Sequence, residues 1–150
     1  MSFEATLRCE RECTRLCHDF AWSVDQGDYP AFVSLFADDG VFERGGQRSV
    51  GHAAIRQFLE ARPAGRTTRH LCSNIRIDPV DASSAVGTSS ALMFAASVGS
   101  GSGSGSAAST AQQQTLPVTL PWVVDYLDDY QLTATGWKFK CRRTVLVFQP

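Results

Sequence analysis

TTRHLCSNIRID, residues 67–78, alternates along its length: His70, Cys72, Asn74 and Arg76 fall on one side, Leu71, Ser73, Ile75 and Ile77 on the other. Period-two alternation predicts a strand with successive side chains on opposite faces. His70 and Asn74 are therefore expected to share a face. A histidine near the start of a strand is a candidate proton carrier, because imidazole is the one side chain whose ordinary pKa lies near neutrality. Its partner has to come from elsewhere in the chain.

Downstream, residues 82–98 are rich in small and β-branched side chains and read as a long strand. Residues 99–114, GSGSGSGSAASTAQQQ, have the composition of a flexible coil joining two strands. Residues 116–135 form the next expected strand, with Trp122, Val124, Tyr126, Asp128 and Tyr130 on one side. Gly136 makes a turn, and the last strand places Trp137, Phe139, Cys141, Arg143, Val145 and Val147 on one face.

Upstream, residues 4–25 carry apolar side chains at helical spacing (Cys9, Cys13, Leu16, Cys17, Phe20, Ala21, Val24), with Glu10, Glu12 and Arg15 on the other side. Gly27 ends that helix. Asp25 lies at the edge of its buried stripe and at its C-terminal end, where the macrodipole disfavours an acid. It needs either a compensating partner or a function. Asp28-Tyr29-Pro30 opens a second helix with Phe32, Val33, Leu35 and Phe36 as its apolar side, and Asp38-Asp39-Gly40 is expected to stop it. Val41–Arg44 then reads as a short strand, Gly45-Gly46 as a turn, and His52–Ala61 as a third helix presenting Ile55, Phe58 and Leu59. His52 reads as a capping or surface residue, and His18 lies on the polar side of the first helix.

Composition narrows the partners. A chain of 150 residues suits one domain with one core; with 43% hydrophobic and 19% charged residues and a net charge of -1, neither disorder nor a nucleic-acid partner is expected. No apolar run approaches the roughly 20 residues that span a bilayer, and MSFEATLRCEREC lacks the apolar segment of a signal peptide, so no membrane association and a cytoplasmic location are expected. Five cysteines without a CxxC pair fit free thiols. Cys9, Cys13 and Cys17 line one helical stripe, and they read as core packing rather than as a metal site, which would need a fourth ligand and a closed shell. Helices first and long strands after them indicate an α+β fold with helices on one face of a curved sheet.

Four stretches carry a resemblance: VDQGDYPAFVSLFADDGVFE (24–43), GHAAIRQFLEA (51–61), TTRHLCSNIRID (67–78) and DYLDDYQLTATGWKFKCRR (125–143). Together they resemble the SnoaL-like branch of the NTF2-like (cystatin-like) cone fold, which includes scytalone dehydratase, bile-acid dehydratases, ketosteroid isomerase and polyketide cyclases. The resemblance implies three N-terminal helices packed on a curved, mainly antiparallel sheet that encloses an apolar pocket. In the dehydratases an aspartate near the end of the first helix pairs with a histidine at the start of the strand after the third helix. Asp25 and His70 occupy those positions. Eliminating water needs one group to remove a proton and another to protonate the departing hydroxyl, and a carboxylate beside an imidazole fixes its tautomer.

The departures are informative. The catalytic aspartate of ketosteroid isomerase aligns with Arg44 and its first-helix tyrosine with Phe20, which argues against isomerase chemistry. With Phe20 lacking a hydroxyl, Tyr126 or Tyr130 would have to supply one. An acid used by the bile-acid enzymes falls near Met93, and their last-strand arginine corresponds to Arg143 or its neighbour Arg142. The expectation is thus a lyase that needs no cofactor or metal, a dehydratase of hydrophobic cyclic or polyketide-like molecules. His70 and Asp25 would be catalytic, and Asn74, Tyr126, Arg143, Trp22, Phe42, Met93 and Phe139 would bind substrate. Two other readings stay open: a non-catalytic small-molecule binding protein, and a structural subunit resembling the β subunit of ring-hydroxylating dioxygenases. An uncovered sheet face further implies a homodimer.

Overall fold

The computed structural model describes residues 1–97 and 120–150; the coil expected at 99–114 lies outside the described residues. Helix α1 spans Phe3–Gln26. The Ser2 hydroxyl accepts the Ala5 N–H at 3.2 Å, and Gly27, at φ 70°, closes the other end in the left-handed conformation that glycine adopts without strain. Its stripe of Cys9, Cys13, Leu16, Cys17 and Phe20 is buried against the sheet. Asp28 caps α2 (Tyr29–Ser34) by accepting the Ala31 N–H at 3.0 Å. After β1 (Phe36–Arg44) and β2 (Gln47–Val50) come α3 (Gly51–Glu60), β3 (Arg66–Pro79), β4 (Ser84–Ser97), β5 (Trp122–Thr133) and β6 (Gly136–Phe148).

The six strands form one sheet in the order β2-β1-β6-β5-β4-β3. Among the described residues, only β1 and β6 run parallel; the other neighbours are antiparallel. The sheet curves without closing, and the helices pack on its inner side, as in NTF2-like cone folds. Phe20, Phe32, Phe36, Phe42 and Phe139 meet in the core, the closest pair being Phe20 and Phe32 with ring centroids 4.6 Å apart. No helix among the described residues is long and apolar enough to cross a membrane.

Three local departures from the expected pattern have backbone causes. The second helix ends at Ser34, and Asp38-Asp39-Gly40 lies inside β1, where the pairing with β6 shifts between Phe36 and Val41. Gly40 is needed there: a Cβ would sit 2.8 Å from the Ala37 carbonyl and 3.0 Å from that of Phe139. Next, β2 pairs with β1 in a short ladder (Val41 opposite Val50) that single-sequence periodicity did not reveal.

The third departure decides side-chain direction at the site. In β3 the register against β4 slips between Ser73 and Arg76, and Asn74 adopts φ 51°. This bulge inverts the phase: Thr68, His70 and Cys72 turn inward before it, Ile75 and Ile77 after it. In β6, Tyr130 of β5 faces Phe139 and Asp129 faces Cys141, leaving Lys140 as the extra residue. Beyond that point Arg142, not Arg143, turns inward.

Candidate active site

A cavity of about 650 Å³ opens between the inner face of the sheet and the three helices. That is the size of a site for a small organic molecule. Phe20, Val24, Phe32, Phe42, Phe58, Met93 and Val124 supply apolar wall, while Thr68, His70, Tyr126 and Thr144 supply polar groups.

At that wall the carboxylate of Asp25 meets His70. Asp25 Oδ1 lies 2.6 Å from His70 Nδ1, Oδ2 accepts the His70 backbone N–H at 2.7 Å, and the Thr68 hydroxyl donates to Oδ1 at 2.8 Å. The two side chains are 7% and 8% exposed. One carboxylate thus holds both the ring and the main chain of the histidine. Burial by itself would raise the pKa of Asp25, but the bonds from His70 and Thr68 outweigh it and hold the carboxyl below the usual aspartate range. Asp25 is therefore ionised at neutral pH and accepts the Nδ1 proton, which fixes the tautomer. Arg62 completes the arrangement, donating to the Val24 carbonyl at 3.1 Å and to the Thr68 hydroxyl at 3.1 Å. A cation on a carbonyl of the last turn of α1 offsets the unfavourable placement of an acid at that helix end.

Tyr126, 3% exposed, also lines the cavity, and among the described residues its hydroxyl bonds to no other group. Burial pushes its pKa up, so the phenol stays protonated and able to donate. Phe42 and Met93 are on the wall.

Four expected site residues lie elsewhere. Asn74 is exposed, because the β3 bulge inverts the alternation that would have put it beside His70. Arg143 points outward and donates to Glu43 at 2.7 Å. Its neighbour Arg142 is fully buried but does not reach the cavity wall: it forms a bidentate pair with Asp128 (2.7 and 2.6 Å) and lies between the rings of Phe20, Tyr126 and Phe139. Tyr130 donates to the same carboxylate at 2.9 Å, so the pair belongs to the core. Phe139 is 0% exposed beneath that guanidinium and serves as core. Trp22 is 69% exposed; two residues beyond Phe20 on a helix, it faces roughly the opposite side, away from the main cavity, and borders a second groove with His18, Asp19 and Arg69 that reaches Asp25 and His70 from the other side.

His52 is bonded to the Phe36 carbonyl at 2.9 Å and ties α3 to β1. The cysteine stripe is packed in the core, where burial raises the thiol pKa of Cys9 and Cys13. Thr68 and Arg62 were not anticipated. Thr68 carried a usable signal, standing two residues before His70 on the same face of a strand. Arg62 follows a helix with nothing local to tell its direction.

The chain belongs to the SnoaL-like domain family, whose model matches residues 5–143. No curated protein matches the chain by sequence. Among solved structures it is similar to a scytalone dehydratase-like protein of Novosphingobium aromaticivorans, with 21% identity over 98% of this chain and 89% of that one and a TM-score of 0.78. It is similar also to Rv3472 of Mycobacterium tuberculosis, a protein of unknown function (20% identity, 91% and 70% covered, TM-score 0.72). A third is the type 2 hexachlorocyclohexane dehydrochlorinase LinA (16% identity, 93% and 88% covered, TM-score 0.68). At such identities the likeness establishes the fold.

Proposed function

We propose that this protein is a cofactor-free lyase, a dehydratase acting on a hydrophobic cyclic or polyketide-like molecule, with His70 as proton carrier and Asp25 as the group that orients it. The observation that carries this reading is the 2.6 Å contact between Asp25 and His70 Nδ1 at the wall of the cavity. With Nδ1–H held by the carboxylate, Nε2 of the neutral ring keeps its lone pair. In the proposed step Nε2 takes a proton from a substrate carbon. The C–H electrons become the new C=C bond, the hydroxyl on the adjacent carbon leaves with its electron pair, and the proton returns to it from His70 to give water. Tyr126 would donate a hydrogen bond to the oxygen on which charge develops. Two of the structural relatives bear names of elimination enzymes, one removing water and the other hydrogen chloride, which fits the same kind of step.

The test is turnover on a panel of aromatic and alicyclic β-hydroxy carbonyl compounds, followed by the absorbance of the conjugated product. His70→Gln should lower kcat by roughly 10²–10⁴-fold while leaving the fold intact, in line with loss of a general base. Asp25→Asn should lower it substantially too, through the wrong tautomer. A folded His70→Gln variant with undiminished turnover sinks the mechanism. Ligand binding without turnover anywhere on the panel would favour the binding-protein reading instead.

A further inference from the structure

Four arginines, Arg44, Arg48, Arg62 and Arg66, line the cavity, and among the described residues the one carboxylate that approaches it is Asp25, held behind His70 and Thr68. This concentration of cations occurs in a chain whose net charge is -1. Two of them are occupied: Arg48 turns its guanidinium outward to Glu43, and Arg62 holds the Val24 carbonyl and the Thr68 hydroxyl. Arg44 and Arg66 have no carboxylate within ion-pair distance among the described residues. Arg44 follows Phe42 by two positions on β1, so both side chains leave the same face and enter the same hollow, while Glu43 between them turns outward to Arg143 and Arg48. Arg44 is the last residue of β1 and is exposed there. Desolvation lowers the pKa of Arg44, and although Tyr126 opposes the shift, the like charges of Arg66 and Arg62 push it further the same way. Two guanidinium groups without a carboxylate partner, lining one cavity beside apolar wall, attract an oxyanion, and a planar carboxylate matches their fork of donors.

We propose that the molecule taken by this cavity carries a carboxylate that is bound by Arg44 and Arg66, its aromatic or alicyclic body packing on Phe42, Phe58 and Met93. The carboxylate is a binding handle rather than a reacting group. This narrows the substrate class of the site described above and rests on reading that cavity as the substrate site.

Isothermal titration calorimetry with a matched pair, naphthoate and the isosteric neutral naphthamide, tests it on the intact protein. Naphthoate should bind roughly tenfold or more tightly than naphthamide, the scale of a charge-assisted contact. In Arg44→Gln/Arg66→Gln that preference should fall to about twofold or less, with naphthamide affinity retained as the sign that the cavity is intact. Equal binding of the two compounds, binding of neither, or a preference that survives the double substitution would each overturn the proposal. Should the double variant not fold, the wild type alone decides: the preference must shrink as salt rises from about 0.05 to about 0.5 M, and a preference indifferent to salt overturns the proposal. The two readings fail separately, because an unaffected His70→Gln turnover removes the catalysis while acid selectivity stands, and loss of acid selectivity leaves the His70 chemistry untouched.

Discussion

Asp25 receives three hydrogen bonds on two oxygens, from His70 Nδ1, the His70 backbone and Thr68. Its pKa in the folded protein lies below 3.8, the ordinary aspartate value. A group whose pKa falls on folding contributes stability that is fully present above the unfolded value and is lost as pH drops through the folded one. Urea unfolding of wild type and Asp25→Asn should therefore show a stability gap at neutral pH that narrows as pH falls below about 3.8. A gap that stays constant through that range would show that the carboxylate is not what the folded state favours. At this scale the sequence was informative where chemistry was local. Asp25 stood out as an acid at the wrong end of a helix, and His70 as an imidazole opening a strand. Arg62 and Arg66 gave no such sign, since the direction of a side chain after a helix depends on how the chain turns.

At the scale of elements, periodicity fails where a strand changes phase. The helical spacing of α1 is intact from end to end, and its boundaries were readable. In β3 and β6 one extra residue in each strand reverses the faces, which moved Asn74 out of the site and exchanged Arg143 for Arg142. Neither bulge is written in its own strand alone, because each is a mismatch with a neighbour. The left-handed Asn74 was the one available hint, asparagine being tolerant of that conformation. It follows that Asn74→Gly should leave the melting temperature within a few degrees of wild type, whereas Asn74→Val, β-branched at φ 51°, should lose about 1–2 kcal/mol and several degrees by differential scanning calorimetry. Equal melting temperatures for the two variants would mean that the bulge is not maintained by the backbone preference of this residue.

At the scale of the molecule, the sheet has an outer side that the helices do not cover. Leu71 is opposite Leu92, Leu92 opposite Val123, and Val123 opposite Phe148, so an apolar row crosses four strands. Leu71 and Phe148 are 58% and 66% exposed. We propose that a second copy of the chain covers this row. Light scattering coupled to gel filtration at micromolar concentration should give the mass of a homodimer, and Leu92→Asp, at the centre of the row, should give that of a monomer. A monomeric wild type would rule the association out.

The parallel contact between β1 and β6 also bears on how the chain reaches this state. Phe36 on β1 lies opposite Phe139 on β6, so this strand pair joins the early and the late parts of the chain. Successive antiparallel hairpins, β1 with β2 included, can form as they are synthesised, but the other edge of β1 must wait for β6. Until then Phe20 and Phe36 lack the Phe139 ring they pack on, a contact of long sequence separation of the kind that slows folding.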